Sequence, residues 1–187
     1  DRFGDSLPEG DFLGYLESRR GKLDAVTVSG GEPTLQPDLP VFIKKIRALG
    51  FKIKLDTNGS RPAVLDGLIR ERIVDYIAMD VKGPLSRYRQ ITGSDVASEV
   101  IARSIDLIKT SGVAYEFRTT AVKSLLAPAE MDAIGKSLEK ADRYVLNRFV
   151  AAQMLDHAYC REESYSEGDF QAVAPVLKKY VSQVLFR

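Results

Sequence analysis

The sequence predicts an α/β fold built on parallel strands. Short apolar runs of strand length alternate about five times with segments in which apolar residues recur at offsets of three and four. Such alternation is typical of parallel strands joined by right-handed helical crossovers. No linker or low-complexity tract interrupts the 187 residues, and this length suits one hydrophobic core. We therefore expect a single domain over residues 1–187.

Five strands are predicted, and a helix precedes the first of them. The helix is expected over 8–20, where apolar residues on one face end at Gly21. A helix ahead of the first strand is unusual for an α/β unit, so we expect a further strand upstream of Asp1. The five strands follow in runs of apolar and β-branched residues. They are predicted at 25–28, 51–55, 74–79, 113–117 and 144–146.

Helices are predicted between the strands from apolar residues on one face. Gly50 and Gly112 stand where two of these helices should end. The chain between 83 and 93 is rich in turn residues. A long amphipathic helix is predicted over 165–187 from the apolar residues between Phe170 and Val184, and it should pack on the sheet. The helices between strands are predicted at 39–49, 60–69, 97–108 and 128–138.

Composition excludes several classes of protein. The 27 basic and 26 acidic residues give a net charge of +1 without a basic stripe, which argues against a nucleic-acid partner. No apolar stretch is long enough to span a bilayer, so no membrane association is expected. The only cysteine is Cys160, which leaves no internal disulfide and suits a reducing compartment. A cytoplasmic location is therefore expected.

Polar residues close every predicted strand. The carboxyl ends of parallel strands lie at one rim, where α/β proteins bind their ligands. Five polar strand ends at one rim predict a site for a polar small molecule. The residues that close the strands are Ser29-Gly30-Gly31-Glu32, Asp56-Thr57-Asn58-Gly59, Asp80-Val81-Lys82, Arg118-Thr119-Thr120 and Asn147-Arg148.

Each of these residues also has a purely structural interpretation. The glycine pair is compatible with a plain turn, and Asp56 with an Asx-turn that accepts from the amide of Asn58. Asp80 and Lys82 point the same way along a strand and could form a simple ion pair. Arg118 could be a structural partner of a carboxylate at the rim.

Three motifs in order resemble the radical S-adenosylmethionine (SAM) enzymes. They are Val26-Thr27-Val28-Ser29-Gly30-Gly31-Glu32-Pro33, Leu55-Asp56-Thr57-Asn58-Gly59 and Met79-Asp80-Val81-Lys82. The chain is most similar to glycyl-radical-enzyme activating proteins, of the type that activates anaerobic ribonucleoside-triphosphate reductase and pyruvate formate-lyase. The segment 83–93 is also similar to that subgroup. The resemblance is close over about residues 1–125 and looser beyond.

The resemblance implies a partial (β/α)6, TIM-like barrel with a [4Fe-4S] cluster and SAM at its rim. One electron then cleaves SAM to methionine and a 5′-deoxyadenosyl radical, which in the activating proteins removes a hydrogen from a backbone glycine. The implied partners are a glycyl radical enzyme and an electron donor such as flavodoxin or ferredoxin. Because the cofactors carry this chemistry, no side chain is assigned as acid, base or nucleophile.

The resemblance also implies roles in binding SAM. The segment Ser29-Gly30-Gly31-Glu32 would receive its methionine ammonium, on the Glu32 carboxylate and neighbouring carbonyls. Lys82 offers a point charge to the SAM carboxylate. Arg118 would steady either that carboxylate or the adenosine.

Two carboxylates at the rim leave a choice of roles. The resemblance implies that Asp56 and Thr57 receive the ribose hydroxyls of SAM. Alternatively, Asp56 together with Asp80 would hold a cation near the SAM carboxylate, since hard cations take oxygen ligands. The cation is the weaker idea.

One part of the family pattern is absent from the sequence. The family holds its cluster with a Cys-x3-Cys-x2-Cys loop after the first barrel strand, and that region would precede Asp1. Cys160 cannot replace three thiolates. We therefore expect an N-terminally incomplete radical SAM core domain without its first strand and cluster loop, and inactive as it stands. Two alternatives are a radical SAM enzyme acting on a small molecule, and a cluster-less module that binds SAM or a protein partner.

Overall fold

A computed structural model describes residues 7–150 and 162–187 of the chain. Within these residues, six parallel strands form one sheet in the order of the sequence, β1 to β6. The α/β prediction is therefore confirmed. The strands are β1 (Ala25–Val28), β2 (Lys52–Thr57), β3 (Tyr76–Asp80), β4 (Ala114–Ala121), β5 (Ala141–Arg148) and β6 (Val181–Phe186).

Helices precede the sheet and connect its strands. Two short 3-10 turns, Pro33–Leu35 and Leu85–Arg87, follow β1 and β3. No helix among residues 7–150 and 162–187 combines the length and apolar character needed to cross a membrane. The helices are α1 (Glu9–Glu17), α2 (Leu39–Ala48), α3 (Pro62–Arg70), α4 (Tyr88–Thr92), α5 (Ser98–Thr110), α6 (Pro128–Ser137) and α7 (Glu167–Leu177).

The predicted terminal helix over 165–187 is wrong in its second half. The helix α7 ends at Leu177, and the chain then turns and enters β6, which pairs in parallel with β5. The apolar residues after the turn are compatible with the periodicity of a helix and with that of a strand, and the β-branched Val181 and Val184 favour a strand. The open edge of β5 decides between them because it offers the backbone a ladder of hydrogen bonds that water would otherwise satisfy.

The strand order makes the sheet an open, partial barrel. Neighbours in sequence are neighbours in the sheet, with β1 and β6 at its two edges. Successive right-handed crossovers place the connecting helices on one face, as in a TIM-type barrel. The barrel is not closed among the described residues. The single domain over 1–187 stays a prediction.

The two faces of the sheet differ in chemistry. On the helix-covered face, alternate strand residues such as Leu55, Ile77 and Phe117 are fully buried with Ile43 and Ile105 from the helices. The side chains on the other face of the sheet are polar, and they form hydrogen bonds and ion pairs with one another. This polar face carries Lys54, Asp56, Tyr76, Asp80, Glu116, Arg118, Arg143, Gln183 and Arg187.

Candidate functional site

The loop after β1 exposes its backbone. Gly30 and Gly31 have φ of +100° and +53°, conformations that favour glycine. A Cβ built on either residue would meet no atom within 4 Å, so the space beside this backbone is open. Ser29 is also exposed, directly after the end of β1. A ligand therefore has room to approach the backbone of this loop closely.

The Glu32 carboxylate ties this loop to the end of β2. Its Oε1 accepts from the Thr34 amide at 3.1 Å and from the hydroxyls of Thr34 and Thr57 at 2.5 and 2.8 Å. Its Oε2 accepts from the Asn58 amide at 2.6 Å. The buried carboxylate thus has four donors within the protein. Glu32 is a brace between two strand ends, and its Oε2, which has a single donor, keeps a lone pair for a ligand ammonium.

The Asx-turn predicted for Asp56 is wrong, because the Asn58 amide donates to Glu32 instead. The turn at this strand end is made one step later, where Asn58 Oδ1 accepts from the Ser60 amide at 2.9 Å. The hydroxyl of Ser104, fully buried on α5, donates to the Gly59 carbonyl at 2.6 Å. The loop after β2 is therefore anchored from both sides.

Five charged residues at the rim form one chain of ion pairs. Arg118 Nε donates to Asp80 Oδ1 at 2.8 Å, and its Nη1 donates to Asp56 Oδ2 at 3.0 Å. Lys82 Nζ lies 2.9 Å from Asp80 Oδ2, and Lys54 pairs with Asp56. The ion pair between Asp80 and Lys82 and the pairing of Arg118 with rim carboxylates, which were the structural alternatives for these residues, are both present, and their roles in binding SAM stay a prediction. Lys54 had no place in the prediction, although it shares a strand face with Asp56.

The register of the sheet explains how Arg118 reaches two carboxylates. Arg118 pairs with Asp80 across β3 and β4, whereas Asp56 pairs with Ala78. The methyl group of Ala78 leaves room for the guanidinium to extend over β3 towards β2. Burial alone would lower the pKa of Arg118, but the charge of Asp80 and the hydrogen bonds to both carboxylates outweigh it and raise that pKa.

Lys82 offers a positive charge at the rim, because Asp80, its carboxylate partner, is shared with Arg118. The rim as a whole is neutral, since the cations Lys54, Lys82 and Arg118 balance the carboxylates Glu32, Asp56 and Asp80. The space between Asp56 and Asp80, where a cation was expected as an alternative, is bridged by the Arg118 guanidinium. Among the residues that the structure describes, no group of three or more His, Cys, Asp or Glu side chains could hold a metal ion.

A cavity of about 970 Å³ opens beside these strand ends. Its polar wall includes Asn58, Lys82 and Thr120, from the ends of β2, β3 and β4. Its apolar wall comes from the stretch between Tyr88 and Ile101, together with Phe149. This volume lies at the upper end of the range for small-molecule sites. The cavity lies where the sequence predicted a ligand site.

Two hydroxyl residues at the cavity and behind it were missed by sequence reasoning. Tyr88, on α4, lines the cavity, and burial raises its pKa to about 12. Thr119, on β4, is buried and donates to the Val81 carbonyl at 2.5 Å. The segment 83–93 was noted as similar to one subgroup, and Tyr88 is its large aromatic residue. Nothing in the sequence pattern distinguishes Thr119 from Thr120.

The fold and the site together define a class. A parallel α/β sheet with a charged rim and a deep cavity at its carboxyl edge is a scaffold for a small polar ligand. The chain belongs to the radical SAM superfamily, whose family model matches residues 3–132. This confirms the family resemblance found in the three sequence motifs.

Two relatives show where similarity lies within the family. A protein of Methanocaldococcus jannaschii, provisionally named a glycyl-radical enzyme activating enzyme, is 31% identical over 170 residues, which are 88% of this chain and 70% of that protein. A 7-carboxy-7-deazaguanine synthase of Neisseria meningitidis is 30% identical over 90 residues, or 48% of this chain and 38% of the synthase. The first similarity extends over most of the chain, and the second over about half.

The fold is similar to that of a solved domain of pyruvate-formate lyase-activating enzyme from Bacteroides vulgatus. The TM-score is 0.67 at 22% sequence identity, over 88% of this chain and 99% of that domain. At this identity the likeness concerns the fold. It agrees with the partial barrel expected from the sequence.

Membership of the superfamily implies an iron–sulfur cluster and SAM as cofactors. The described residues fit SAM, because open space adjoins the glycine backbone and the Lys82 ammonium lines the cavity. They do not supply the cluster ligands, since Cys160 is the chain's one cysteine and, like His157, lies outside the described residues.

Proposed function

We propose that this protein is the activating enzyme of a glycyl radical enzyme. The observation that carries the proposal is the 31% identity to an activating enzyme over 88% of the chain, because it includes the cavity-lining segment 83–93 as well as the strand ends. Bound SAM and the cluster supply a 5′-deoxyadenosyl radical, which removes a hydrogen from a glycine of the partner. Flavodoxin or ferredoxin is the proposed electron donor, and the cytoplasm the proposed location.

The residues of this chain bind and orient SAM in the proposal. The open backbone at Gly30 and Gly31 offers carbonyl acceptors to the methionine ammonium. Lys82 turns from Asp80 to the SAM carboxylate, since Asp80 keeps the Arg118 guanidinium as its partner. Arg118 stays with Asp56 and Asp80 and holds their carboxylates in place.

Each of the remaining predicted residues contacts SAM, supports the loop that binds it, or does both. Asp56 keeps lone pairs that are not used by Lys54 and Arg118, so it can still accept from a ribose hydroxyl. Thr57 acts through the loop, because its hydroxyl donates to Glu32 and accepts from the Gly59 amide. Glu32 braces the same loop and offers the remaining lone pair of Oε2 to the methionine ammonium. Ser29 contributes exposed backbone next to the glycines.

The proposed site is tested by measuring SAM affinity in the full-length protein, with its cluster reconstituted anaerobically. Lys82→Gln should weaken SAM binding about three- to tenfold, the loss expected for one partly exposed charge pair. Lys45→Gln is the matched control, because Lys45 has a similar exposure and also pairs with one carboxylate, Glu9, away from the rim. Equal affinities in both variants would refute the site.

The reaction is tested on the same reconstituted protein with dithionite and SAM. Formation of 5′-deoxyadenosine, followed by a glycyl radical signal in a candidate reductase or lyase, is the expected result. Formation of 5′-deoxyadenosine without that signal in any encoded candidate would favour a small-molecule substrate, in line with the partial similarity to the deazaguanine synthase. The absence of 5′-deoxyadenosine would favour the cluster-less binding module.

A further inference from the structure

The peptide group that joins Val81 to Lys82 is held at both of its polar atoms by side-chain hydroxyls. Thr119 Oγ1 donates to the Val81 carbonyl at 2.5 Å. On the other side, the Lys82 amide donates to the Tyr88 hydroxyl at 3.5 Å, a longer and weaker contact. One hydroxyl comes from β4 and the other from α4, so two separate elements fix a single peptide plane.

Thr119 is itself held from behind. It is buried, and its oxygen accepts from the hydroxyl of Tyr144 at 2.8 Å. Tyr144 is fully buried on β5, and this burial raises its pKa, so its hydroxyl keeps its proton and donates. The direction of both hydrogen bonds is therefore set: Tyr144 donates to Thr119, and Thr119 donates to the Val81 carbonyl. A threonine without this second bond would be free to rotate its hydroxyl.

The peptide group needs these bonds because the sheet ends just before it. The Val81 amide makes the last ladder bond of this strand end, to the Arg118 carbonyl at 2.8 Å. Beyond that bond, the ladder no longer restrains the backbone that carries Lys82. The Lys82 side chain lines the cavity, and its Nζ lies 2.9 Å from Asp80. Because a change in φ at Lys82 would redirect its side chain, holding this peptide group in place keeps the ammonium directed at the cavity.

The second hydroxyl sits in a closely packed segment. Tyr88 is buried, and a Cβ built on Gly83 would lie 2.5 Å from Ile91 Cδ1. The backbone leaving Lys82 and the helix α4 thus touch without room for a side chain between them. This close approach is what brings the Tyr88 hydroxyl to the Lys82 amide.

We infer that Thr119, backed by Tyr144, and Tyr88 are positioning residues that set Lys82 for the carboxylate of the ligand. The inference rests on the proposed function, in which that ligand is SAM. It concerns residues outside the three sequence motifs, two of which, Thr119 and Tyr144, do not line the cavity. They act on the ligand only through Lys82.

The experiment measures SAM affinity by calorimetry in the reconstituted, complete protein, with the melting temperature of each variant recorded alongside. Thr119→Val keeps the shape and removes the hydroxyl, and it should weaken SAM binding about three- to fivefold, no more than Lys82→Gln does. Thr119→Ser restores the hydroxyl and should return affinity to within about twofold of wild type. Tyr88→Phe should weaken binding less than Thr119→Val, because its hydrogen bond is longer.

A double-mutant cycle separates positioning from a general loss of structure. In a Lys82→Gln background, Thr119→Val should reduce SAM affinity by less than about twofold, since the group that it positions is gone. Additive losses would overturn the inference, because a purely structural threonine would act regardless of residue 82. So would an unchanged affinity in Thr119→Val when Lys82→Gln alone weakens binding. If Lys82→Gln has no effect on SAM affinity, the proposed site itself fails.

Discussion

Arg118 lies opposite Asp80 in the pairing of β4 with β3, and its guanidinium donates to Asp80 Oδ1 at 2.8 Å and to Asp56 Oδ2 at 3.0 Å. One side chain thus spans three adjacent strands at the edge where the site opens. The two donating nitrogens diverge in a fixed plane, which a lysine ammonium cannot reproduce. The rim owes its arrangement to this residue more than to either carboxylate alone.

Arg118→Lys should therefore lower stability although it keeps the charge. We expect a loss of about 1–2 kcal/mol, since one carboxylate keeps a partner and the other, partly buried, loses it. Denaturant unfolding followed by circular dichroism measures this loss. Arg70→Lys is the control, because Arg70 is largely exposed in a helical ion pair with Asp66. Equal midpoints for both variants would contradict the bridging role.

Glu32→Gln should destabilise the protein by about 1–3 kcal/mol. All four groups that face this carboxylate donate hydrogens, so the amide nitrogen of glutamine must face a donor in either orientation. The measurement is the unfolding midpoint in urea. Glu71→Gln, in an exposed ion pair with Lys44, is the control and should stay within about 0.5 kcal/mol of wild type. A Glu32→Gln variant as stable as this control would show that the brace contributes nothing.

Gly30→Ala should cost about 1–2 kcal/mol through the backbone alone. The φ of +100° disfavours any residue with a Cβ, yet no atom lies near enough for the new methyl group to clash. The opposite result is expected for Gly14→Ala, in the middle of α1 and equally free of neighbours, which should stabilise by about 0.5–1 kcal/mol. Thermal melts of both variants show whether each substitution lowers or raises the melting temperature. Equal shifts in the same direction would exclude the backbone explanation.

Asp169 makes the stability of α7 depend on acid. Its pKa is lowered to about 2, first by the backbone amide of Ser166, then by the Ser166 hydroxyl and by Lys123. Because the folded pKa lies below the usual aspartate pKa of 3.8, its contribution is present above that pH and is lost as pH falls through about 2.

The variant Asp169→Asn tests this linkage. Its deficit in urea midpoint relative to wild type should be constant near neutral pH and should shrink as pH falls from 3.8 to about 2. Asp11→Asn, in the first turn of α1, is the control, since α1 has no side-chain cap hydrogen bond. A deficit for Asp169→Asn that does not change with pH would show that the carboxylate charge is not involved.

Local sequence signals were sufficient for most of the architecture. The spacing of apolar residues located five strands and the helices between them, because an element that buries one face repeats its apolar residues with the periodicity of a strand or a helix. The glycine pair and Glu32, Asp56, Asp80, Lys82 and Arg118 were likewise identified at strand ends, because polar groups collect where parallel strands open to a ligand. The family itself could be inferred from three short motifs.

Other features depended on pairs of residues far apart in the chain. The apolar residues of segment 181–186 are compatible with a helix or a strand, and only pairing with the free edge of β5 makes the segment a strand. Glu32 braces Thr57 and Asn58 only because the register of β1 with β2 brings these residues together. The contact of Thr119 with Val81 likewise exists only because β4 lies beside β3.

The sequence by itself therefore determined the class of fold, the family and the edge of the sheet at which the site lies. These follow from local periodicity and from short motifs, which a chain carries before it folds. Only the tertiary structure decided which rim residues face outward and which brace one another. Hydrogen bonds and ion pairs between strands depend on register, and register is set by the packing of the whole sheet.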